Sequence, residues 1–538
     1  MATPLCRLAQ ELAGLSGWRR YGLAFLLGVV LAGALPPVDL APLIFVAFPG
    51  LLWLDEGSSG IWASARLGYV FGLGFFVAGL YWVAAALFVD IAAFWWALPF
   101  AVLGLPALMS VFPAAALLVT RFGAARLELP ATARVCLFAL AWSAAEWARG
   151  HALTGFPWNL VGYVWSGGFP GGLALLQSVA WVGIYGLGFL TVLAAALPAL
   201  LGTPSLVPLS LLRRSAPTIA AGALLLIPAA LGWARLDGQP SVATAIRLRL
   251  VQPSIPETMK WNPAVAEENF RRLIELSSAP ADHPLSAVLW PEAAATYLLE
   301  RDPAHRARIA AIAPEEGYVI TGALRATPPP QPPLQLWNSI EAIDRDSAVR
   351  AHYDKAHLVP FGEYVPFGDW LPIKKITPGG TDLSAGPGPR TLDLPGLPAF
   401  SPLICYEAIF PGAVVDPAVR PAWILNVTND AWYGRSSGPF QHFAIARTRA
   451  VEEGLPLVRV ANNGVSGVID ADGRVLARTG LDAVGYADIA LPAAGPRTLY
   501  GRFGDWTFLA LLLLGSAPVL LLRGLRAPAA GHSSTVAT

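Results

Sequence analysis

Charge is what this chain has least of. Charged residues are 14% of its 538 positions, against roughly 25% in a typical soluble protein. Hydrophobic residues reach 55% and the mean hydropathy is +0.53, which excludes an ordinary water-soluble globule and points to a membrane protein. The net charge is only +1, and no basic run or stacking-aromatic patch accompanies it, so a nucleic-acid partner is not expected. Lysine is scarce while arginine is common: it occurs only at 260, 355, 374 and 375. A position that keeps lysine in such a chain needs an ammonium rather than a guanidinium. The 3 cysteines cannot build a disulfide framework. Cys6 and Cys136 read as small hydrophobes, whereas Cys405 is the one thiol in the hydrophilic half. No cluster of metal-ligand spacing is present, and neither a metal nor a cofactor is expected.

Apolar runs long enough to cross a bilayer, about 20 residues each, recur along the chain. Residues 21–54 read as two spans joined at Pro36-Pro37. Residues 67–89 and 91–120, divided by Asp90, give a third and a fourth. Residues 131–148 form a fifth, crowded at its end by Glu146 and Arg149. The aromatic, Pro/Gly-punctuated stretch "GFPWNLVGYVW" reads as an interfacial loop. Residues 174–200, 215–234 and 506–522 complete a body of about eight spans. Arg19 and Arg20, Arg121 and Arg126, Arg213 and Arg214, and Arg523 and Arg526 then all fall on one side, the cytoplasm. The expected organisation is a membrane body over 1–235, an external domain over 236–503, and an eighth span with a cytoplasmic tail over 504–538.

The external domain alternates short strands with helices. "AIRLRLVQ", "SAVLW", "GYVITGAL", "FSPLI", "AWILNVT" and "LPLVRVAN" read as strands, and "AVAEENFRRLIELSS" and "FAIARTRAVEEG" as helices. "GVIDADGRVLAR" reads as a hairpin with a D-G turn, and "TPPPQPP" as a loop. This is an α/β layered pattern. Residues 364–388, mixing Trp370 and Leu371 with Pro and Gly, read as a mobile lid.

In α/β sheets, sites collect at strand ends. Glu292 lies just beyond the strand "SAVLW", Lys355 and Glu363 lie in "HYDKAHLVPFGEYVP", and Cys405 sits at a strand-to-helix turn. A thiol with an ordinary pKa near 8.5 needs help to become a nucleophile at neutral pH. A poorly solvated carboxylate can take its proton. An ammonium favours the thiolate and can hold a developing oxyanion. The backbone N–H of Tyr406 is a natural second donor.

"WPE", "YDKAHLVPFGEYVP" and "CYE", in that order, resemble the nitrilase superfamily. Their fusion to a multi-span body is similar to the apolipoprotein N-acyltransferase family. "SAAEWARG", "GFPWN", "QPSIPETMKW", "NVTNDAWYG" and "QHFAIARTRAVEEGLPLVRVANNGVSG" extend the likeness over nearly the whole chain. The resemblance implies an αββα sandwich with Glu292 as general base, Lys355 as oxyanion stabiliser and Cys405 as nucleophile. It implies that Glu363 is a second active-site glutamate and that Trp261, Tyr406 and Glu407 handle substrate. It further implies acyl transfer from a membrane phospholipid, phosphatidylethanolamine being the expected donor, through a Cys405 thioester. The acceptor would be the N-terminal α-amine of a diacylglyceryl apolipoprotein, at the periplasmic face of a bacterial inner membrane. No dimerisation signature is present, so a monomer is expected. A hydrolase on a membrane anchor would share the three catalytic side chains, but a soluble substrate would not call for so many spans. A transporter would place charges at mid-membrane, where these spans have almost none.

Overall fold

The computed structural model describes residues 4–203, 211–238, 240–328, 333–368, 370, 375–377 and 381–523. Each expected apolar segment is largely helical. Four helices among the described residues are long and apolar enough to cross a membrane by length and composition: Ile61–Ala97, Phe100–Arg126, Val179–Gly202 and Ser215–Gly238. The count of eight spans does not follow from helix length. Gly17–Ala32, Ile44–Glu56 and Trp506–Leu522 are apolar but have only 16, 13 and 17 residues. Ala131–His151 has 21 residues but includes Arg134, Glu146 and Arg149. The expected turn at Pro36-Pro37 does separate two helices. The expected division at Asp90 is not observed: the helical stretch Ile61–Ala97 runs through it and the next begins at Phe100, while the Asp90 carboxylate accepts from Ala93 N at 3.2 Å within that stretch.

Close helix contact in the body depends on missing side chains. A Cβ on Gly28 would stand 2.0 Å from the Phe71 carbonyl oxygen, and one on Gly74 2.0 Å from that of Phe25. Small residues at such crossings let backbones touch. Glu146 and Arg149 lie toward the end of helix Ala131–His151, as expected; both are buried and hold the following loop inward. Glu146 accepts from Val161 N at 2.9 Å, while Arg149 donates to the carbonyls of Phe156 and Trp158 at 2.7 and 2.6 Å. Buried backbone groups need partners, and these two side chains supply them. The stretch read as an interfacial loop is therefore packed inside, with Trp158 and Leu160–Val164 buried.

Among the described residues, all strands lie between 243 and 492. They are β1 (Ala243–Gln252), β2 (Ala287–Leu289), β3 (Tyr318–Ala326), β4 (Leu336–Ile343), β5 (Val349–Asp354), β6 (Leu392–Leu394), β7 (Leu397–Ile404), β8 (Trp423–Thr428), β9 (Leu457–Ala461), β10 (Gly467–Ile469), β11 (Val475–Arg478) and β12 (Gly485–Pro492). Two six-stranded sheets form, in the orders β12-β1-β2-β3-β4-β5 and β11-β10-β9-β8-β7-β6. Leu289, Ile320, Ile340 and Tyr353 of the first face Phe400, Ile404, Leu425 and Val458 of the second in one core. Helices Pro263–Ser277 and Pro303–Ala311 cover the first sheet, and helix Gly438–Glu453 covers the second. The result is the expected αββα sandwich.

The hairpin β10–β11 turns at Asp472-Gly473, with Gly473 at φ 82°. The strands β4, β5, β6 and β12 and the helix Pro303–Ala311 had no clear apolar period and escaped the sequence reading. Of the expected lid, residues 369, 371–374 and 378–380 lie outside the described residues, as do 329–332 of the proline loop, the tail 524–538 with Arg526, and the side chains of Arg213 and Arg214.

On β4, Glu341 is fully buried and neither carboxylate oxygen has a partner. Burial, with a smaller push from Glu300, raises its pKa to about 7. The unfolded chain releases that proton near pH 4.3, so stability falls as pH rises from about 4.3 to about 7 and stays low above. Glu341→Gln should therefore melt with the parent near pH 5 and above it at pH 8 in detergent thermal scans. Equal melting at pH 8 would show that the carboxylate is not destabilising.

Candidate active site

Three strand ends deliver the expected side chains to one place. β2 stops at Trp290-Pro291, where proline removes a ladder donor, and Glu292 follows. Ala293 then takes φ 45°, close against Gly322, where a Cβ would meet Ala293 N at 2.4 Å. β5 ends at Asp354, and Lys355 N donates to Asn338 O at 2.8 Å. β7 ends at Ile404, and Cys405 enters a short helical turn at φ 50°. That left-handed conformation is unfavourable for a residue with a Cβ and persists only where neighbours enforce it.

The cluster is dry. Lys355 is 1% exposed and Cys405 5%. Lys355 Nζ lies 3.0 Å from Glu363 and 3.5 Å from Glu292. Asn338 Nδ2 bridges the carboxylates, donating to Glu292 at 2.7 Å and to Glu363 at 2.9 Å. Val359 N donates to the other Glu363 oxygen at 2.8 Å. Glu292 Oε2 is buried without a hydrogen-bond partner, leaving an acceptor free. Burial and then Glu292 push the Cys405 thiol up to about 12, against the pull of Lys355. Burial works against the Lys355 ammonium, but Glu363 and Glu292 outweigh it and raise its pKa. Both shifts favour a protonated thiol beside a charged ammonium.

The remaining expected residues differ in placement. Trp261 is half-buried, and its indole N–H is held by Glu257 at 3.0 Å. Tyr406 Oη donates to Gly155 O of the helical body at 3.2 Å. Glu407 lies behind the nucleophile. Its carboxylate accepts from Ile404 N, Tyr353 Oη and Ala356 N at 2.7 Å each and from His357 N at 3.1 Å. It ties the cysteine turn to the segment after Lys355.

Several residues in the cluster escaped the sequence reading. Asn338 is one. Lys260 is another: it is buried and donates to Glu292 O at 2.8 Å. The scarcity of lysine was the signal that could have found it. Tyr433 Oη is 3.9 Å from Cys405 Sγ. The helical body roofs this corner. Trp82 and Trp158 both donate to Gln441 Oε1, at 3.1 and 2.8 Å, and the Trp82 ring packs on Tyr433 at 4.6 Å. Beside them a cavity of about 800 Å³ opens, with Val29, Pro37 and Ala78 of the body facing Arg435, Ser437 and Gln441.

Comparison with known proteins agrees with this division. Residues 27–197 match the family model described as the apolipoprotein N-acyltransferase N-terminal domain, and residues 247–497 match that of the carbon-nitrogen hydrolases. The chain is 43% identical to an apolipoprotein N-acyltransferase of Bradyrhizobium diazoefficiens, over 94% of this chain and 95% of the relative. It is 38% identical to one of Rhodopseudomonas palustris, over 96% and 98%. Among solved structures, an amidase from Nesterenkonia sp. aligns over 50% of this chain and 97% of its own, at 19% identity and a TM-score of 0.36.

The thiol's environment gives a direct test. With a pKa near 12, the thiolate fraction grows about tenfold per pH unit through neutrality. In a background with Cys6 and Cys136 changed to alanine, alkylation of Cys405 by iodoacetamide should climb at that slope from pH 7 to 10. A plateau below pH 9 would mean a preformed thiolate and would overturn the resting state described.

Proposed function

The chain belongs to the apolipoprotein N-acyltransferase family, and from that premise we propose how its buried cluster carries out the transfer. It N-acylates apolipoproteins in lipoprotein maturation. The observation that carries the mechanism is one thiol, two carboxylates and one ammonium gathered in a dry pocket under a membrane-type helical body.

In the first half-reaction Cys405 Sγ attacks the ester carbonyl of a phospholipid, and Glu292 takes the thiol proton. Lys355 Nζ and the Tyr406 N–H hold the tetrahedral oxyanion. As the intermediate collapses, the C–O bond breaks and Glu292 returns the proton to the leaving oxygen, giving a lysophospholipid and a Cys405 thioester. In the second half the α-amine of diacylglyceryl-cysteine attacks the thioester, Glu292 takes the amine proton, and as the C–S bond breaks Glu292 returns that proton to sulfur, regenerating the thiol and the free carboxylate. Glu363 holds Lys355 in place for both. Phosphatidylethanolamine is the proposed donor. The apolar walls and polar rim of the cavity at Arg435 suit an amphiphile, and both substrates are lipid-anchored. We place the catalytic domain at the periplasmic face of the inner membrane, on an eight-segment body, in a monomer.

Single-turnover acylation from fluorescent phospholipid separates the roles. Cys405→Ala should form no adduct. Glu292→Gln should slow acylation by about 10²–10⁴. Lys355→Met should do so by a comparable factor, since losing an oxyanion donor costs roughly 3–4 kcal/mol. Lys355→Arg should not rescue fully, because a planar fork cannot sit where a point charge did. If Glu292→Gln acylates at the parent rate, Glu363 becomes the base. Intact-mass spectrometry of the protein from membranes should find an acyl group on Cys405.

Orientation is tested separately. The arginine distribution places residue 213 inside and 240 outside. A reporter active only outside the cytoplasm should work when fused after residue 240 and stay silent after 213. The reverse pattern would invert the topology.

A further inference from the structure

Behind Cys405 lies a second buried network that the transfer chemistry does not use. His442, Asp430 and Arg459 are all 0% exposed. His442 Nε2 lies 3.1 Å from the main-chain carbonyl oxygen of Cys405. Its Nδ1 lies 2.9 Å from both Asp430 Oδ1 and Arg459 Nη2. Arg459 pairs with Asp430 at 2.8 Å, and Thr428 Oγ1 donates to Asp430 at 3.0 Å. The Trp158 ring from the helical body and the Tyr433 ring close the remaining sides, with centroids 5.5 and 5.7 Å away.

The proton inventory of the ring follows. A carbonyl oxygen only accepts, so Nε2 carries a hydrogen. Burial, then the Arg459 guanidinium, push the imidazole below its usual range, against Asp430. Burial raises the Asp430 carboxyl, but Arg459 and His442 outweigh it and hold it at about 2. The network is thus a fixed Nε2–H donor aimed at one carbonyl.

What that carbonyl controls is the next amide. In a planar trans peptide the C=O of Cys405 and the N–H of Tyr406 point in opposite directions. Pinning the oxygen toward His442 therefore turns the Tyr406 N–H the other way. Cys405 sits at φ 50°, a conformation its neighbours must enforce, so rotation of this peptide is the distortion to prevent. We propose that His442 is a positioning residue for the oxyanion hole: it fixes the Cys405–Tyr406 peptide so that the Tyr406 N–H faces the tetrahedral intermediate. The proposal rests on the thioester reading above.

The test compares two uncharged side chains of similar length, one with a donor and one without. His442→Gln places an amide N–H near the former Nε2, whereas His442→Met fills the space without a donor. Acylation by fluorescent phospholipid passes through an oxyanion, but alkylation by iodoacetamide does not. In the background free of Cys6 and Cys136, His442→Met should slow acylation by about 10²-fold and leave alkylation within about twofold of the parent, with kcat rather than KM carrying the loss. His442→Gln should regain most of the rate. Equal acylation by both variants, or alkylation falling in step with acylation, overturns the proposal. Nitrogen-15 spectra of histidine in the unmutated protein in lipid decide the matter even if a variant fails to fold. A buried ring protonated on Nδ1 alone could not donate to Cys405. Absence of any acyl adduct on the parent would instead defeat the thioester reading and is distinguishable from these outcomes.

Discussion

Two buried carboxylates, Glu292 and Glu363, share the Lys355 ammonium, and the rest of the site is arranged around that contact. Lys355 touches Glu363 at 3.0 Å and Glu292 at 3.5 Å. Buried like charges are costly unless a cation and further donors compensate them. Asn338 supplies one donor to each carboxylate and Val359 N another to Glu363. Glu292 Oε2 keeps no hydrogen-bond partner, while Lys260 Nζ donates to the Glu292 main-chain oxygen at 2.8 Å. Burial first, and Glu292 second, push the Cys405 thiol toward its protonated form, against Lys355. In the proposed mechanism a nucleophile and its base are thus stored in the state that precedes reaction, with the proton still on sulfur and a free acceptor nearby. Removing Lys355 would leave two carboxylates facing each other, so the lysine holds the site together as much as it serves the chemistry.

Such a cluster must stay dry, and the sandwich alone leaves one corner to be covered. Helix Gly438–Glu453 solves this by being buried on both faces. Ala446 and Ala450 pack on the second sheet, while Ile445 and Val451 join the core of the helical body. Its polar residues face the body too. Gln441 takes the indoles of Trp82 and Trp158, and Arg447 donates to Ser166 O at 3.1 Å. Arg449 pairs with Glu452 at 3.1 Å, and Glu452 accepts from Ile184 N at 2.8 Å. The helix therefore registers the thiol against the membrane body in one rigid step: His442, on the same helix, reaches the Cys405 carbonyl.

What the sequence could disclose follows from how local each signal is. β7 and β8 were legible because both faces are buried and their apolar runs are continuous. Cys405, Glu292 and Lys355 were legible because each ends such a run or sits in an unusual string. β4 and β5 were not, since Asn338, Glu341, His352 and Asp354 interrupt their apolar period. Helix Gly438–Glu453 was found, but its polar face reads as solvent-facing, and only the fold shows that the face is covered. Asn338 and His442 meet Glu292 and Cys405 across long stretches of chain, and nothing in their own neighbourhoods marks those contacts. The helical segments were legible by hydropathy; their lengths were not, because the chain stays helical through Asp90 from Ile61 to Ala97, while Gly17–Ala32 and Ile44–Glu56 stop short of a span.

The difference between a transferase and a hydrolase built on these three side chains then lies in the cover. Glu292, Lys355 and Cys405 would serve water as readily as an amine, because the base takes a proton from whichever nucleophile arrives. Over the thiol stand Tyr433, Trp82 and Trp158, with ring centroids 4.6 and 5.9 Å from the tyrosine. Tyr406 is tied to Gly155 of the same buried loop. Two of these groups belong to the helical body, which Glu146 and Arg149 fold into place. Excluding water protects a reactive acyl intermediate and strengthens every charge around it. On the proposed mechanism the helical body thus belongs to the active site itself: it supplies the dry wall behind which an acyl group would wait on sulfur for a lipid-anchored amine.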